Sequence, residues 1–584
     1  MNALKLTFVV CLLAGSSQAT IKWVQTSETM ETAIENANPG DTIIVRSGRY
    51  DTGGSVTMPS GGTQAHPVLI KAEEVGSVEL TGETYLDLRQ VSYVTIQGFI
   101  WTSTDVTAIK TQASHHIRIT RNTFRLRETS SRKWVIIQGI WDNPDAPSHH
   151  NRIDHNLFEE KHLPGNFITI DGQADPVYQS SQYDRIDHNH FRNMGPRVEN
   201  EMEAVRMGWS EMSMSSGFTT LEFNLFENCD GDPEIVSVKT CDNDVRHNTF
   251  RSSQGTLSLR HGNRSRVEGN FFFGEEKAGS GGIRLYGDDH VIVNNYFFGL
   301  LGSKWDAPLT LTNGDYDGGT SYSNHFRINR AQIVNNTLVN NTRGIEIGFT
   351  NNGSYLKPPR DVILKNNLVQ GSVDDLIITY TEPVNMSWVS NLMYASGTAQ
   401  VGLTLSDEEI RVMDPQLQKS EELFRPLPCS PLIDAGSSTN LSEIDIDGQE
   451  RVGNPDIGCD EYHTDSLRLY YPLTARDVGP QAGVLVPIVD KHRSETVLAE
   501  LKIMQYPNPF NSMTHLKLIH VPKGPVSVHL FDIRGRYMME LWHGLNHAAS
   551  VDLNLNLHNM DSGTYLIIVR SSAGDVARRI QYLK

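Results

Sequence analysis

The chain has 584 residues, 38% of them apolar and 21% charged, with 47 glycines and 25 prolines. This composition excludes wholesale disorder and collagen-like or coiled-coil architectures, and the length predicts two to four domains unless one elongated repeat absorbs most of it. The formal net charge of −18 opposes general binding to nucleic acid or anionic membrane, so a polyanion must meet a local basic site.

At the N-terminus, Lys5 precedes an apolar run from Leu6 to Ala14 and a small-residue end, Gly15 to Ala19. This pattern predicts a secretory signal peptide over residues 1–19. The run is too short to span a bilayer, and no later apolar run is long enough, so no transmembrane segment is expected. Cys229, Cys241, Cys429 and Cys459 remain after the signal. Closeness in sequence favours the pairs Cys229–Cys241 and Cys429–Cys459, and four free buried thiols are the alternative. No Cys/His spacing suggests zinc. Ala33 to Val45 then reads as an amphipathic helix followed by a strand, suited to capping a stack.

From residue 120 onward one phrase recurs: apolar or β-branched residues, then Asn, any residue, then Phe or Leu. It falls at Asn122-Thr-Phe124, Asn156-Leu-Phe158, Asn189-His-Phe191, Asn224-Leu-Phe226, Asn248-Thr-Phe250, Asn270-Phe-Phe272, Asn295-Tyr-Phe297, Asn336-Thr-Leu338 and Asn366-Asn-Leu368. The steps between successive Asn are 34, 33, 35, 24, 22, 25, 41 and 30 residues. Repeats of this length mark solenoids or propellers, and 22 residues are too few for a four-stranded blade. They fit one coil of a right-handed parallel β-helix, three short strands with loops inserted in the longer coils. The Phe or Leu should stack inward, and the Asn should bond neighbouring backbone in a ladder at a turn, tolerating left-handed geometry.

Polar residues concentrate between Asn200 and Arg284. They include Asn200-Glu-Met-Glu203, Arg206, Asp232-Pro-Glu234-Ile-Val-Ser-Val-Lys239, Arg260-His261-Gly262 and Arg284. Repeat arithmetic stacks Asn200 near Glu234, Lys239 near Arg260, and Arg260 near Arg284. Asp232 and Glu234 share a strand face. One lateral patch should therefore hold an amide and carboxylates beside a Lys and Arg residues. The oxygen-rich set suits Ca²⁺, although carboxylates merely paired with Lys239 and the arginines would read the same way. A Lys among cations favours the neutral amine that can accept a proton. No isolated pair of carboxylates stands as a glycosidase requires.

The segment 445–458, with Asp445-Ile-Asp-Gly448 and Asp456-Ile-Gly458, resembles the closing segment of many secreted β-helix enzymes. The β-helix is expected over 20–463, with closure and linker over 464–500. Beyond it come Pro507-Asn-Pro-Phe-Asn511, a strand at Val526–Leu530, a turn at Arg534-Gly-Arg536 and Ser562-Gly-Thr-Tyr565 leading another strand. This predicts a small β-sandwich over 501–584. Nine Lys/Arg against five Asp/Glu make the tail about +4 and leave residues 20–500 near −23. The tail resembles the C-terminal sorting domains of the type IX secretion system. That resemblance implies a partner in the secretion machinery, export, and a secreted or cell-surface location.

The central residues, above all Glu234-Ile-Val-Ser-Val-Lys239 and Gln254-Gly-Thr-Leu-Ser-Leu-Arg260-His261-Gly262, resemble the polysaccharide lyases related to chondroitinase B and the β-helical alginate lyases. The likeness runs from about Ile21 to Pro480. It implies β-elimination on an anionic, uronate-containing polysaccharide, with Lys239 as base and Arg260 assisting the leaving oxygen. It further implies Asn200, Asp232 and Glu234 as calcium ligands, and His261, Arg284 and Arg206 as substrate contacts. Glu203 would support the site rather than act in it. Asp232 stands where the family carries Glu, one methylene longer, which weakens the calcium assignment. Alginate is the expected substrate. A chondroitin or dermatan sulfate lyase, a non-catalytic carbohydrate-binding adhesin and a β-helical glycoside hydrolase are the competing readings.

Overall fold

The computed structural model describes residues 19–483 except 141–142, 144–146, 174–177, 318–321, 439–440 and 464–467. It also describes 502–582 except 507–512, 520, 522, 533–536, 547–549, 558–559, 561 and 572–573. The signal peptide, most of the linker, the Pro507–Asn511 phrase and the Arg534–Arg536 turn lie outside the described residues. The chain divides into two units, 1–484 and 485–584.

The first unit is a parallel β-helix. Among the described residues, three parallel sheets of 14, 12 and 14 strands run its length. Every coil adds one short strand to each sheet, and strands two to six residues long suffice because the parallel ladder continues into the next coil. A helix, Ser27–Glu35, caps the N-terminal end. It begins earlier than the sequence pattern suggested, because Thr26 and Thr29 form a reciprocal capping box that satisfies its first free N–H groups.

The interior is built as the repeat predicts. Trp101, Phe124, Phe158, Phe191, Phe226, Phe250, Phe272 and Phe297 form one column of rings, with centroid spacings of 4.6–5.8 Å. All are buried. Truncating one such ring removes contacts above and below and costs about 3–5 kcal/mol.

The Asn residues form a continuous buried ladder. Asn156 Oδ1 accepts from the Asn122 backbone N–H at 2.9 Å and from Asn122 Nδ2 at 3.1 Å. Asn156 Nδ2 in turn donates to the carbonyls of Ile119 and Asp154, at 2.9 and 3.0 Å. The pattern repeats at Asn189, Asn224, Asn248, Asn270, Asn295 and Asn336. Two details differ from expectation. The last members are Asn367 and Asn391, not Asn366, because Val369 rather than Leu368 pairs with inward Leu338. The left-handed conformation belongs to the residue before the ladder Asn, for example His155 at φ 55° and His188 at φ 54°. The ladder Asn itself is needed for its amide.

The four cysteines are free thiols. Neither favoured disulfide forms. Cys229 ends a strand of one sheet with its Sγ 3.5 Å from the Phe191 carbonyl, whereas Cys241 lies at a different corner with its Sγ 3.2 Å from the Ser213 carbonyl. Sequence neighbours in a solenoid are separated by its cross-section.

The segment 423–482 lies along the helix. Arg425 bridges Asp447 and Asp460, Leu473 N–H donates to Thr249 Oγ1 at 2.8 Å, and Arg121 Nη1 donates to the Pro480 carbonyl at 2.7 Å. The second unit has an antiparallel three-stranded sheet, comprising Lys502–Tyr506, Met513–Ile519 and Ser550–Asn556. Its other, four-stranded sheet comprises Gly524–Asp532, Tyr537–Asn546, Gly563–Ser571 and Gly574–Tyr582. Alternate residues such as Leu516, Leu518, Val528, Leu530, Ile567 and Val569 fill a common core, the pattern of a β-sandwich. Among the described residues no helix is long and apolar enough to cross a membrane.

Candidate functional site

The site grows from the 12-stranded sheet, where outward side chains of successive coils fall into rows. Register aligns Thr169, Arg206, Ser237, Ser258, Arg284, Thr310 and Glu346. Val238 pairs with Leu259, and Leu259 with Leu285. The residues that follow, Lys239, Arg260 and Tyr286, therefore stand side by side as the chain leaves the sheet. Adjacent strands lie about 4.8 Å apart, so Lys239 and Arg260 are neighbours, as the 21-residue spacing predicts.

Arg284 lies on the coil after Arg260 but out of line with it. The register shifts after Gly255 put Ser258 opposite Arg284 and leave Tyr286 beside Arg260. Arg284 still joins the cluster through Glu234, with which it forms a buried ion pair, while its Nε donates to Ser258 Oγ at 3.1 Å. Arg260 Nε lies 3.7 Å from the same Glu234 oxygen. Ser237 Oγ donates to the other Glu234 oxygen. Burial opposes the charge on Glu234, but Arg284, then Lys239 and Arg260, hold its carboxyl well below the usual carboxylate range.

Asp232 has the opposite balance. Burial first, then the charges of Glu203 and Glu234, raise its pKa. Its Oδ1 accepts from the Glu234 N–H at 2.9 Å and its Oδ2 from the Met202 N–H at 3.3 Å.

Glu203 is more central than the sequence indicated. Its Oε1 lies 3.5 Å from Lys239 Nζ, and its Oε2 accepts from Asn166 Nδ2 at 2.7 Å. Thr169 Oγ1 donates to Asn166 Oδ1 at 2.9 Å, so the preceding coil fixes the carboxylate that faces the lysine. Asn200 stands on the exposed loop just before it and has no hydrogen bond to the carboxylates among the described residues.

Arg206 is buried and donates to Asp171 Oδ1 at 3.0 Å. It faces the cleft with its charge already partnered. His261 Nδ1 lies 3.3 Å from Arg260 Nη1 and its Nε2 3.3 Å from Ser210 Oγ. Burial, then Arg260 and Lys239, push its pKa far down, so this imidazole stays neutral.

Three further residues line the basic side. The Tyr286 ring lies under Arg260, 5.8 Å from its guanidinium carbon. His325 packs between Tyr286 and Tyr355, at centroid distances of 4.8 and 4.6 Å. Burial, then Arg260 and Arg284, push His325 down to about 2. Tyr286 was findable by counting the register through the Gly281-Gly282 insertion. His325 and Tyr355 lie in coil insertions outside the repeat phrase, so spacing carries no signal for them.

The arrangement is a cleft floor with a lysine and an arginine at adjacent coil positions, a carboxylate behind each, and neutral hydrogen-bonding rings on one flank. Glu203, Asp232 and Glu234 supply the hard oxygen donors that suit a cation such as Ca²⁺. They are not among the groups whose ligand atoms lie within 4.8 Å of one another; Arg284 and Ser237 engage Glu234 instead.

The family profile described as Chondroitinase B matches residues 24–419. That described as Secretion system C-terminal sorting domain matches residues 504–582, which marks the chain for export to the cell surface or beyond. No curated protein matches the chain. Among solved structures, the family 6 alginate lyase AlyGC is similar at 27% identity and TM-score 0.61, over 70% of this chain and 55% of its own. The chain thus spans about half the length of AlyGC. A mannuronic-acid-specific polysaccharide family 6 lyase from human gut microbiota is similar at 23% identity and TM-score 0.56, over 68% of this chain and 91% of its own. A family 6 polysaccharide lyase from Pseudopedobacter saltans is similar at 22% identity and TM-score 0.51, over 66% and 98%. The last two speak to the fold.

Proposed function

The chain belongs to the chondroitinase B family of polysaccharide lyases, and from that footing we propose that its lateral cleft cleaves alginate by β-elimination. The observation that carries the proposal is the pair Lys239 and Arg260 at aligned positions of adjacent coils, backed by Glu203 and Glu234. Elimination needs a base at C5 of a uronate and stabilisation of the departing 4-linked oxygen. Lys239 Nζ accepts the C5 proton. The C–H electron pair becomes the C4–C5 double bond as the C4–O bond breaks. Arg260 faces the leaving oxygen and stabilises or protonates it. Glu203 orients the lysine. His261, Arg284 and Arg206 border the sugar subsites, with the neutral His261 able to hydrogen-bond a hydroxyl without adding charge.

The donor set fits calcium. Asp232 and Glu234, with Glu203 beside them and Asn200 at the loop edge, would hold it, and Asp232 is the short arm of the set. When bound, the cation neutralises the uronate carboxylate and so acidifies the C5–H. The likeness to AlyGC supports alginate as the polymer, and the family description favours dermatan sulfate as the second reading.

The test mixes mature protein with alginate, and separately with dermatan sulfate, and follows the near-ultraviolet absorbance of the unsaturated uronate, with and without chelator. A rise with alginate alone is expected. A rise with dermatan sulfate alone overturns the alginate reading. Saturated products, or binding without cleavage, overturn the lyase reading. An unchanged rate after chelation removes calcium from the proposal.

A further inference from the structure

The sequence Ser-His-His occurs twice, at 114–116 and 148–150, and neither copy belongs to the cleft. The β-helix places the copies on adjacent coils in register, with a parallel bridge between His115 and His149. His115 stacks on His149 at 4.6 Å with an interplanar angle of 4°. His116 stacks on His150 at 5.1 Å and 3°. Tyr93 covers the outer face of His116 at 4.5 Å, and Tyr183 covers His150 at 5.0 Å. Four imidazoles are therefore held as a two-by-two block between tyrosines, on the outer corner of the coil.

Within each coil the two rings meet edge on. His115 Nδ1 lies 2.9 Å from His116 Nδ1, and His149 Nδ1 lies 2.9 Å from His150 Nδ1. One ligand nitrogen each from His115, His116 and His149 falls within a 4.8 Å group. At a metal–nitrogen distance of about 2.0 Å, ligands at a right angle stand ~2.9 Å apart, and tetrahedral ligands ~3.3 Å. The spacing within each coil matches the right-angle arrangement, which copper(II) and nickel(II) prefer with nitrogen ligands.

We propose that His115, His116 and His149, flanked by His150, form a surface site for a late first-row divalent cation, with Cu²⁺ as the reference ion. The cation bridges two coils and satisfies nitrogens that otherwise share one proton per pair. The His115 and His116 rings already stand edge on, whereas the His149 ring, parallel to His115, must turn out of the stack to reach the same ion. The site is separate from the oxygen-rich cleft, which selects hard cations.

The test uses untagged mature protein stripped with chelator. Calorimetric titration with CuCl₂, with CaCl₂ as control, should show one Cu²⁺ per chain at micromolar affinity or tighter and no Ca²⁺ at this site. Electron paramagnetic resonance of the loaded protein should show nitrogen ligands. The double variant H115Q/H149Q should bind at least about tenfold more weakly, with activity on polymer unchanged. H116N is a second variant, since Asn accepts the left-handed backbone of His116, φ 56°; it decides the matter if the double variant loses its fold. No copper uptake by the parent protein at about 100 μM, or unchanged affinity in the folded variants, overturns the proposal.

Discussion

Asp184 occupies a buried turn position on a second polar row, between Asn151 one coil before and Thr219 one coil after. Its Oδ1 accepts from the Asn151 N–H at 2.8 Å and from Asn151 Nδ2 at 3.0 Å. It forms no ion pair with any described residue, and burial raises its pKa from 3.8 to about 6. The folded state therefore holds the proton more tightly than the unfolded chain. Stability is largest below the unfolded value and falls as pH rises through the folded one. A difference of about 2 units corresponds to about 3 kcal/mol at pH 8, and to about half of that at pH 5. Asp184→Asn keeps the accepting oxygen, removes the buried charge, and matches the Asn already present at 151 and 243. The variant should exceed the parent by about 3 kcal/mol at pH 8, with the advantage shrinking toward pH 4. Urea unfolding followed by tryptophan fluorescence at pH 4, 5 and 8 measures this, because Trp101 and Trp134 are buried in the same unit. A variant less stable than the parent at pH 8, or an advantage that does not change with pH, would refute the reasoning.

Three further outcomes follow from the geometry. Lys239→Ala should lower kcat on alginate by at least about 100-fold, the scale of a lost general base, while circular dichroism stays unchanged; full activity would remove Lys239 from the base role. Asn224→Ala strands the Asn189 backbone N–H, which now bonds Asn224 Oδ1 at 2.9 Å, while Asn189 Nδ2 keeps the Ile153 and Asp187 carbonyls. One buried orphan donor costs about 1–3 kcal/mol, measured as a lower urea midpoint. Gly262→Ala puts a Cβ 2.3 Å from the Thr240 carbonyl at a residue with φ 79°. It should lower Tm and kcat together, because relief requires Arg260-His261 to move relative to Lys239; an active variant with unchanged Tm would contradict the close approach.

Burial, then the charges of Glu203 and Glu234, raise the Asp232 pKa, while Glu234 turns to Arg284. In the proposed site a cation would compete with Arg284 for Glu234.

The repeat phrase determined the solenoid before any coordinates, because a coil that cannot bury its own apolar face must present the same residue types at the same place in every turn. It also located Lys239 beside Arg260, since the intervening coil has no insertion between those two strand ends. Spacing failed wherever the chain adds residues inside a coil. The bulges near Gly255 and Gly281 moved Arg284 opposite Ser258 and brought Tyr286 to Arg260. Insertions delivered His325 and Tyr355, and a loop kept Asn200 exposed while Glu203 reached the lysine. The Cys229–Cys241 pair failed for the converse reason, being close in sequence but at different corners of the cross-section. Periodicity specifies which coil a residue belongs to. Only the folded chain decides where insertions bend and which charged group wins each partner, because those outcomes depend on distances between coils that no single repeat encodes.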